Sequence, residues 1–82
     1  MRALITGASS GIGREMAKYL SSKGYEIILV AREEDKLKAV QKELKTKSEI
    51  ICMDLSERNN CIKLHEMVKN IDILINCAGF GR

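Results

Sequence analysis

Residues 6–13 read T-G-A-S-S-G-I-G and follow a short apolar run, Ala3-Leu4-Ile5. Glycine has no Cβ, so a glycine-rich stretch permits a tight turn and lets a ligand approach the backbone. A helix that begins at such a turn leaves its first N–H groups without intrahelical partners, and the macrodipole adds about half a unit of positive charge there. The chemistry this suits is anion binding, a pyrophosphate above all. The plainer alternative is a glycine-rich turn that holds nothing. Its place, after a first strand and at the opening of a first helix, favours the phosphate. The spacing is G-x-x-x-G-x-G (Gly7, Gly11, Gly13). It is neither G-x-G-x-x-G nor the G-x-x-x-x-G-K of a triphosphate loop.

Such a loop needs a strand behind it and a helix ahead of it, and the sequence supplies both repeatedly. Four continuous apolar runs are Ala3-Leu4-Ile5, Ile27-Ile28-Leu29-Val30, Ile50-Ile51-Cys52-Met53 and Ile71 to Ile75. Continuous runs of this length read as strands buried on both faces, as in a parallel sheet. Three segments between them carry helical spacing. About Ile12 to Lys23 places Ile12, Met16 and Leu20 on one stripe, with Gly24 as C-cap. About Glu33 to Lys45 opens with Glu33, Glu34 and Asp35 and carries Leu37, Val40 and Leu44. About Glu57 to Lys69 follows Ser56 as N-cap, with Cys61, Leu64 and Val68 facing inward. The order is β-α-β-α-β-α-β. Right-handed crossovers then give the α/β class: half of a doubly wound Rossmann fold, a parallel sheet in the order 3-2-1-4. The fourth strand is an edge, and an edge as apolar as I-D-I-L-I-N-C is a liability unless something pairs with it. The expectation is therefore that residues 1–82 are the dinucleotide-binding portion of a larger, truncated domain, and that the bare edge makes the chain self-associate.

Composition narrows the function classes. The chain has 82 residues, enough for one small domain, and its net charge of +3 comes from 14 basic and 11 acidic residues spread along the length. A nucleic-acid arm or a membrane-surface patch concentrates its charge, and this chain does not. Tyr19, Tyr25 and Phe80 are its only aromatic residues, poor material for base stacking. Cys52, Cys61 and Cys77 are odd in number and form no C-x-x-C pair, so neither a metal site nor a disulfide framework is expected. Reduced thiols in a cytoplasmic protein fit better. No apolar run approaches the roughly 20 residues of a membrane span, and Met1-Arg2 leads into a strand without the apolar core of a secretory signal.

Three motifs now stand in one frame: Thr6 to Gly13, Asp54-Leu55 after the third strand, and Asn76-Cys77-Ala78-Gly79 after the fourth. Together they resemble the short-chain dehydrogenase/reductase family, in its compact single-domain branch, over all 82 residues. Cys77 departs from the second Asn of that family's N-N-A-G segment, which puts in doubt the cross-sheet hydrogen bonds of that Asn. The resemblance implies that Gly7, Gly11, Ile12 and Gly13 cradle a pyrophosphate and that Ser9 and Ser10 offer hydroxyls near the adenosine ribose. It implies that Asp54 and Leu55 meet the adenine ring. Asn76 opens the segment in which Ala78 and Gly79 let the backbone pass close to the ribose. The cofactor choice has a physical argument of its own. An NAD site places a carboxylate at the end of the second strand. Here Ala31 stands in that place and Arg32 follows. A guanidinium can hold a 2′-phosphate by charge-assisted bonds, so NADP is expected. Against it stands Arg32 as a solvated charge, or one occupied by Glu33 or Glu34.

The family's reaction, carbonyl reduction or alcohol oxidation, uses a Tyr-x-x-x-Lys pair. Tyr19-Leu20-Ser21-Ser22-Lys23 matches that string but lies on the first helix, where Tyr19 is ~9 Å and Lys23 ~15 Å down the axis from Gly13. It is rejected as catalytic, with Tyr19 expected to pack beside the sheet. His65 reads as a surface or boundary residue and Asp72 as a solvated acid at a strand start. No catalytic residue is expected within the chain, and hence no activity from it alone. The alternative is a non-enzymatic nucleotide-binding or self-associating module. An S-adenosylmethionine-dependent methyltransferase would want an acid where Arg32 stands.

Overall fold

Strands and helices alternate through a computed structural model that describes residues 1–8, 11–54 and 57–76, the side chains of Cys61 and Asn76 excepted. The elements are β1 (Arg2–Thr6), α1 (Gly11–Ser22), β2 (Glu26–Ala31), α2 (Glu34–Gln41), β3 (Ser48–Cys52), α3 (Arg58–Met67) and β4 (Ile73–Asn76). The four strands form one parallel sheet in the order β3-β2-β1-β4. Both the class and the strand order agree with the sequence reading.

The two inner strands alternate their side chains between two apolar layers. Ala3 and Ile5 of β1 join Ile27, Leu29 and Ala31 of β2 on one face, under Ala17 and Leu20 of α1 and Leu37 and Val40 of α2. Leu4, Ile28 and Val30 point the other way, towards Leu64 of α3. Ile5, Ile27, Ile28 and Leu29 are almost wholly shielded, each contributing about 1.5–3 kcal/mol by burial. The outer strands are half-open, and Leu74 on β4 is 63% exposed.

Helix α1 corrects the expected stripe. Ile12 is 73% exposed, and the buried face is Gly13, Ala17, Leu20 and Ser21. Small residues allow α1 to sit close to the sheet, and that close approach turns Ile12 outward. Tyr19 does not pack beside the sheet either: it is 56% exposed, with Lys23 Nζ 5.5 Å from the ring centroid. The cap is as expected. Gly24 has φ 95°, its N–H donates to the Ser21 carbonyl and the Tyr25 N–H donates to the Leu20 carbonyl, the paired bonds of a left-handed helix stop.

The second helix ends at Gln41, four residues short of the expected Lys45. The chain tightens instead, with Glu43 N–H donating to the Val40 carbonyl and Leu44 N–H to the Gln41 carbonyl. Residues 43–46 then run alongside α1 as a strap. Arg14 grips Glu43 with two bonds, Nε to Oε1 at 2.7 Å and Nη2 to Oε2 at 2.5 Å. This pairing lowers the Glu43 carboxyl below its ordinary range, chiefly through the hydrogen bond, and raises Arg14 for the same reason. Two turns further along α1, Ser21 Oγ accepts the N–H groups of Lys45 and Thr46 at 2.8 and 2.9 Å. Thr46 Oγ1 donates to the Tyr25 carbonyl, so Ser21 donates its own proton to Thr46 Oγ1. One hydroxyl thus uses its donor and both acceptor positions.

Helix α3 is shorter than expected, 58–67 rather than 57–69, and Asn70 at φ 61° turns the chain back to the sheet. Strand β4 begins at Ile73 rather than Ile71, and Asp72 before it is engaged at the start of β1. Its carboxylate accepts the Arg2 N–H at 2.8 Å and its own N–H donates to the Arg2 carbonyl at 2.9 Å. Ser56 lies outside the described residues, as does the Cys61 side chain.

The Ser21 node gives the first test. Ser21→Ala leaves two backbone donors on the strap without their acceptor and is expected to cost about 1–3 kcal/mol, read from the midpoint of urea unfolding. A loss under about 0.5 kcal/mol would show that the strap does not depend on this hydroxyl.

Candidate dinucleotide site

Parallel strands bring their carboxyl ends to one edge of the sheet. The register pairs Thr6 with Val30 and with Asn76, and Ala31 with Cys52. The residues that follow β1, β2, β3 and β4 therefore gather at one rim. The strand order reverses there between β1 and β4, the place where ligands bind in sheets of this kind.

At the centre of the rim the β1–α1 loop has two glycines that the fold itself requires. Gly7 has φ 67°, in the left-handed region. Ala8 behind it is fully buried and donates its N–H to the Val30 carbonyl at 3.1 Å. Gly13 packs onto this turn so closely that a Cβ on it would stand 2.4 Å from the Gly7 carbonyl oxygen and 2.9 Å from Ala8 Cα. Gly11 is different. A Cβ there would meet nothing within 4 Å, and its φ is not in the left-handed region. Its missing side chain leaves open space at the first residue of α1, where the helix presents its N–H groups. Ile12, next to it, is exposed. Ser9 and Ser10 lie outside the described residues.

Arg32 stands on the rim beside this loop and is exposed. Its carbonyl accepts a bond from Cys52 Sγ at 3.1 Å, and the Ala31 carbonyl accepts the Met53 N–H at 3.0 Å, so the turn after β2 is tied to the end of β3. The nearby carboxylates face elsewhere. Glu33 pairs with Lys36 and Glu34 with Lys38, each at 3.2 Å, and Arg32 forms no ion pair among the described residues. Ala31 is 8% exposed.

Asp54 follows β3 and is half-buried. Its carbonyl accepts Asn60 Nδ2 at 2.8 Å and the Glu57 N–H at 3.2 Å. Asn60 was missed in the sequence. The signal available was an Asn in the first turn of a helix that follows an Asp loop. Asn76 closes β4 on the same rim, while Leu55, Cys77, Ala78 and Gly79 lie outside the described residues. Thr6 Oγ1 donates to the Ile75 carbonyl at 3.4 Å, joining the first and last strand ends. The structure thus brings Gly7, Gly11, Ile12, Gly13, Arg32, Asp54 and Asn76 to one edge. Tyr19 and Lys23 lie towards the other end of α1, and His65 is exposed on α3. Among the described residues no three His, Cys, Asp or Glu side chains are grouped to hold a metal ion, and no helix is long and apolar enough to cross a membrane.

The family model for short chain dehydrogenases matches residues 1–82, the whole chain. The chain belongs to the short chain dehydrogenase family. A very-long-chain 3-oxoacyl-CoA reductase of Coccidioides immitis is 44% identical over 88 residues, which cover 96% of this chain and 25% of that protein. An uncharacterized oxidoreductase of Staphylococcus epidermidis is 38% identical over 84 residues, 94% of this chain and 35% of its own length. The chain therefore spans about a quarter to a third of the length of these relatives. Among solved structures, a metagenomic short-chain oxidoreductase in complex with NADP superposes with a TM-score of 0.85 at 34% identity, over 99% of this chain and 40% of that one. A short chain dehydrogenase/reductase family protein reaches a TM-score of 0.89 at 26% identity, over 98% and 34%. These likenesses agree with the family and fold read from the sequence motifs.

The glycines of this short chain dehydrogenase separate by experiment. Gly13→Ala is expected to destabilise the fold by about 1–3 kcal/mol through overpacking against the Gly7 turn. Gly11→Ala is expected to leave stability within about 0.5 kcal/mol of the parent. Urea unfolding of the two variants decides it, and equal losses would contradict the packing described.

Proposed function

We propose that residues 1–82 form the cofactor-binding portion of an NADP-dependent short-chain oxidoreductase, a part of a larger catalytic domain. The observation that carries this reading is Gly11. Among the described residues nothing would meet a side chain at that position, whereas a pyrophosphate approaching the α1 N-terminus would need the space. The residues fit the group. The N–H groups of Gly11, Ile12 and Gly13 would hold the pyrophosphate, with Gly7 shaping the turn beneath it. Ser9 and Ser10 would face the adenosine ribose, Asp54 and Leu55 the adenine, and Asn76, Ala78 and Gly79 the ribose from the β4 side.

The preference for NADP rests on Arg32. Two features support it: an apolar Ala31 where an NAD site has a carboxylate, and glutamates committed to lysines of their own helix. A solved relative was crystallised with NADP. The guanidinium would meet a 2′-phosphate with charge-assisted bonds and would find no equivalent partner on NAD.

NADP, when bound, supplies a hydride acceptor or donor for carbonyl and alcohol substrates. The work of these residues is to hold and orient its adenosine end. The Tyr-x-x-x-Lys pair of the family has no counterpart here in the right place, so the chain alone is expected to bind and not to turn over a small carbonyl or alcohol. The cytoplasmic assignment rests on the odd, widely spaced cysteines, and self-association on the exposed Leu74 of the β4 edge.

The test is Arg32→Asp with NADPH and NADH titrated by fluorescence. The variant is expected to weaken NADPH about 10- to 100-fold, the worth of a hydrogen bond to a charged group, and to leave NADH nearly unchanged or tighter. An unchanged ratio of the two affinities would refute the NADP assignment.

A further inference from the structure

A cation in the first turn of a helix opposes the macrodipole. Helix α1 has one there, Arg14, and no acidic residue in that turn. Its Cα lies about 4.5 Å along the axis from Gly11, close behind the N–H groups assigned to the pyrophosphate. The folded chain does not leave that charge to the solvent or to the site. Glu43 takes it, in a two-bond pairing reached only because α2 stops at Gln41 and residues 43–46 turn along α1. Strand β3 begins at Ser48 and runs parallel to β1. The strap is thus directed towards the amino ends of the strands, opposite to the rim. Glu43 therefore draws the guanidinium away from the edge that would hold the phosphates. Both partners are surface residues, with side chains 47% and 34% exposed, so their exchange with an incoming anion needs no opening of the core. Glu15 also bears on Arg14, more weakly than Glu43 does, and pairs with Lys18 at 4.0 Å.

We propose that Arg14 is a second phosphate-attracting cation of the nucleotide site and that Glu43 masks it, so that Glu43 sets nucleotide affinity without touching the ligand. This rests on the dinucleotide reading of the site. Arg14 would be a positioning charge for the pyrophosphate end, separate from Arg32 at the 2′-phosphate end. It would act on NADP and NAD alike.

The opposing explanation is mechanical. If the pair only fixes α1 against the strap, removing either partner loosens the site, and both single variants bind less well. Masking predicts opposite signs instead. Glu43→Gln unmasks the cation and should tighten NADPH and NADH by about 2- to 5-fold at low salt, the scale of one screened charge at about 8–10 Å. Arg14→Gln leaves the carboxylate behind and should weaken both by a similar factor. The double variant is neutral again and should fall between the two. All differences should shrink in about 1 M salt, where the screening length is near 3 Å.

The experiment is fluorescence titration of NADPH and NADH against the parent chain and the three variants at both salt concentrations, with circular dichroism to compare their folds. Opposite signs for the single variants, lost in salt, support masking. Weaker binding in both, or no change in either, overturns it. Should Glu43→Gln alter the circular dichroism spectrum, Arg14→Gln and the salt dependence of the parent still decide: masking requires the Arg14→Gln deficit to vanish in salt. Absence of any binding by the parent would instead refute the dinucleotide reading itself. A change in the NADPH/NADH ratio on altering Arg14 would overturn the assignment to the pyrophosphate end.

Discussion

Helix α1 can start where it does because Gly13 carries no side chain. Its first turn lies on the Gly7 carbonyl and Ala8 at a distance that excludes even a methyl group. That contact fixes where the helix N-terminus ends up relative to the carboxyl edge of the sheet. Everything else at the rim is arranged around it. Gly7 must take a left-handed conformation to turn the chain there, and Ala8 must be small and buried to anchor the turn on β2. The result is a helix terminus aimed outward over β1, flanked by Arg32 on one side and Asn76 on the other. In the proposed reading, this contact turns backbone N–H groups into an anion site without any catalytic side chain.

Helix α1 is also held along its length by a different kind of interaction. Ser21 and Arg14 tie the helix to residues 43–46, one through a saturated hydroxyl and the other through an exposed ion pair. The first is part of the core and specifies the path of the chain between α2 and β3. The second is on the surface, where an ion pair adds little to stability. Its consequence is electrostatic: it decides how much positive charge the first turn of α1 presents to a ligand. The same strap thus serves packing at one end and bears on the site at the other.

Much of this was legible in the residues. The continuous apolar runs of β1 and β2 belong to strands buried on both faces, so the sheet and its order followed from alternation with helical segments. The T-G-x-x-x-G-I-G string located the turn, and its glycines carried their reasons. What was hidden came from tertiary geometry. Ile12 looked like the first residue of an apolar stripe, but the buried face joins Leu20 of that stripe to Gly13, Ala17 and Ser21, whose small size lets the helix approach the sheet. Tyr19 fell to the surface with it. Helix α2 reads as helical through Lys45 because Lys, Glu and Leu are good helix formers. It stops early because the strap's bonds to α1 compensate for the lost turns. Asp72 is exposed, as expected of a solvated acid, and its carboxylate also accepts the Arg2 N–H of β1, which no local pattern reveals. In the candidate site Gly11 and Arg32 were evident from their positions, whereas the Cys52 bond to the Arg32 carbonyl and the Asn60 cap on Asp54 depend on loops meeting in space.

The central claim is that the carboxyl rim of the sheet is an adenosine-phosphate site. The most direct measurement is a titration of the isotope-labelled chain with 2′,5′-ADP, a ligand that carries the adenosine end and no nicotinamide, followed by backbone amide chemical shifts. The account predicts a saturable change centred on residues 7–14, with Arg32, Asp54 and Asn76 moving in the same binding curve, and little change at Lys23, His65 or the strand starts. Shifts scattered over the lysine-rich outer faces of the helices, or none at Gly11, Ile12 and Gly13, would contradict it.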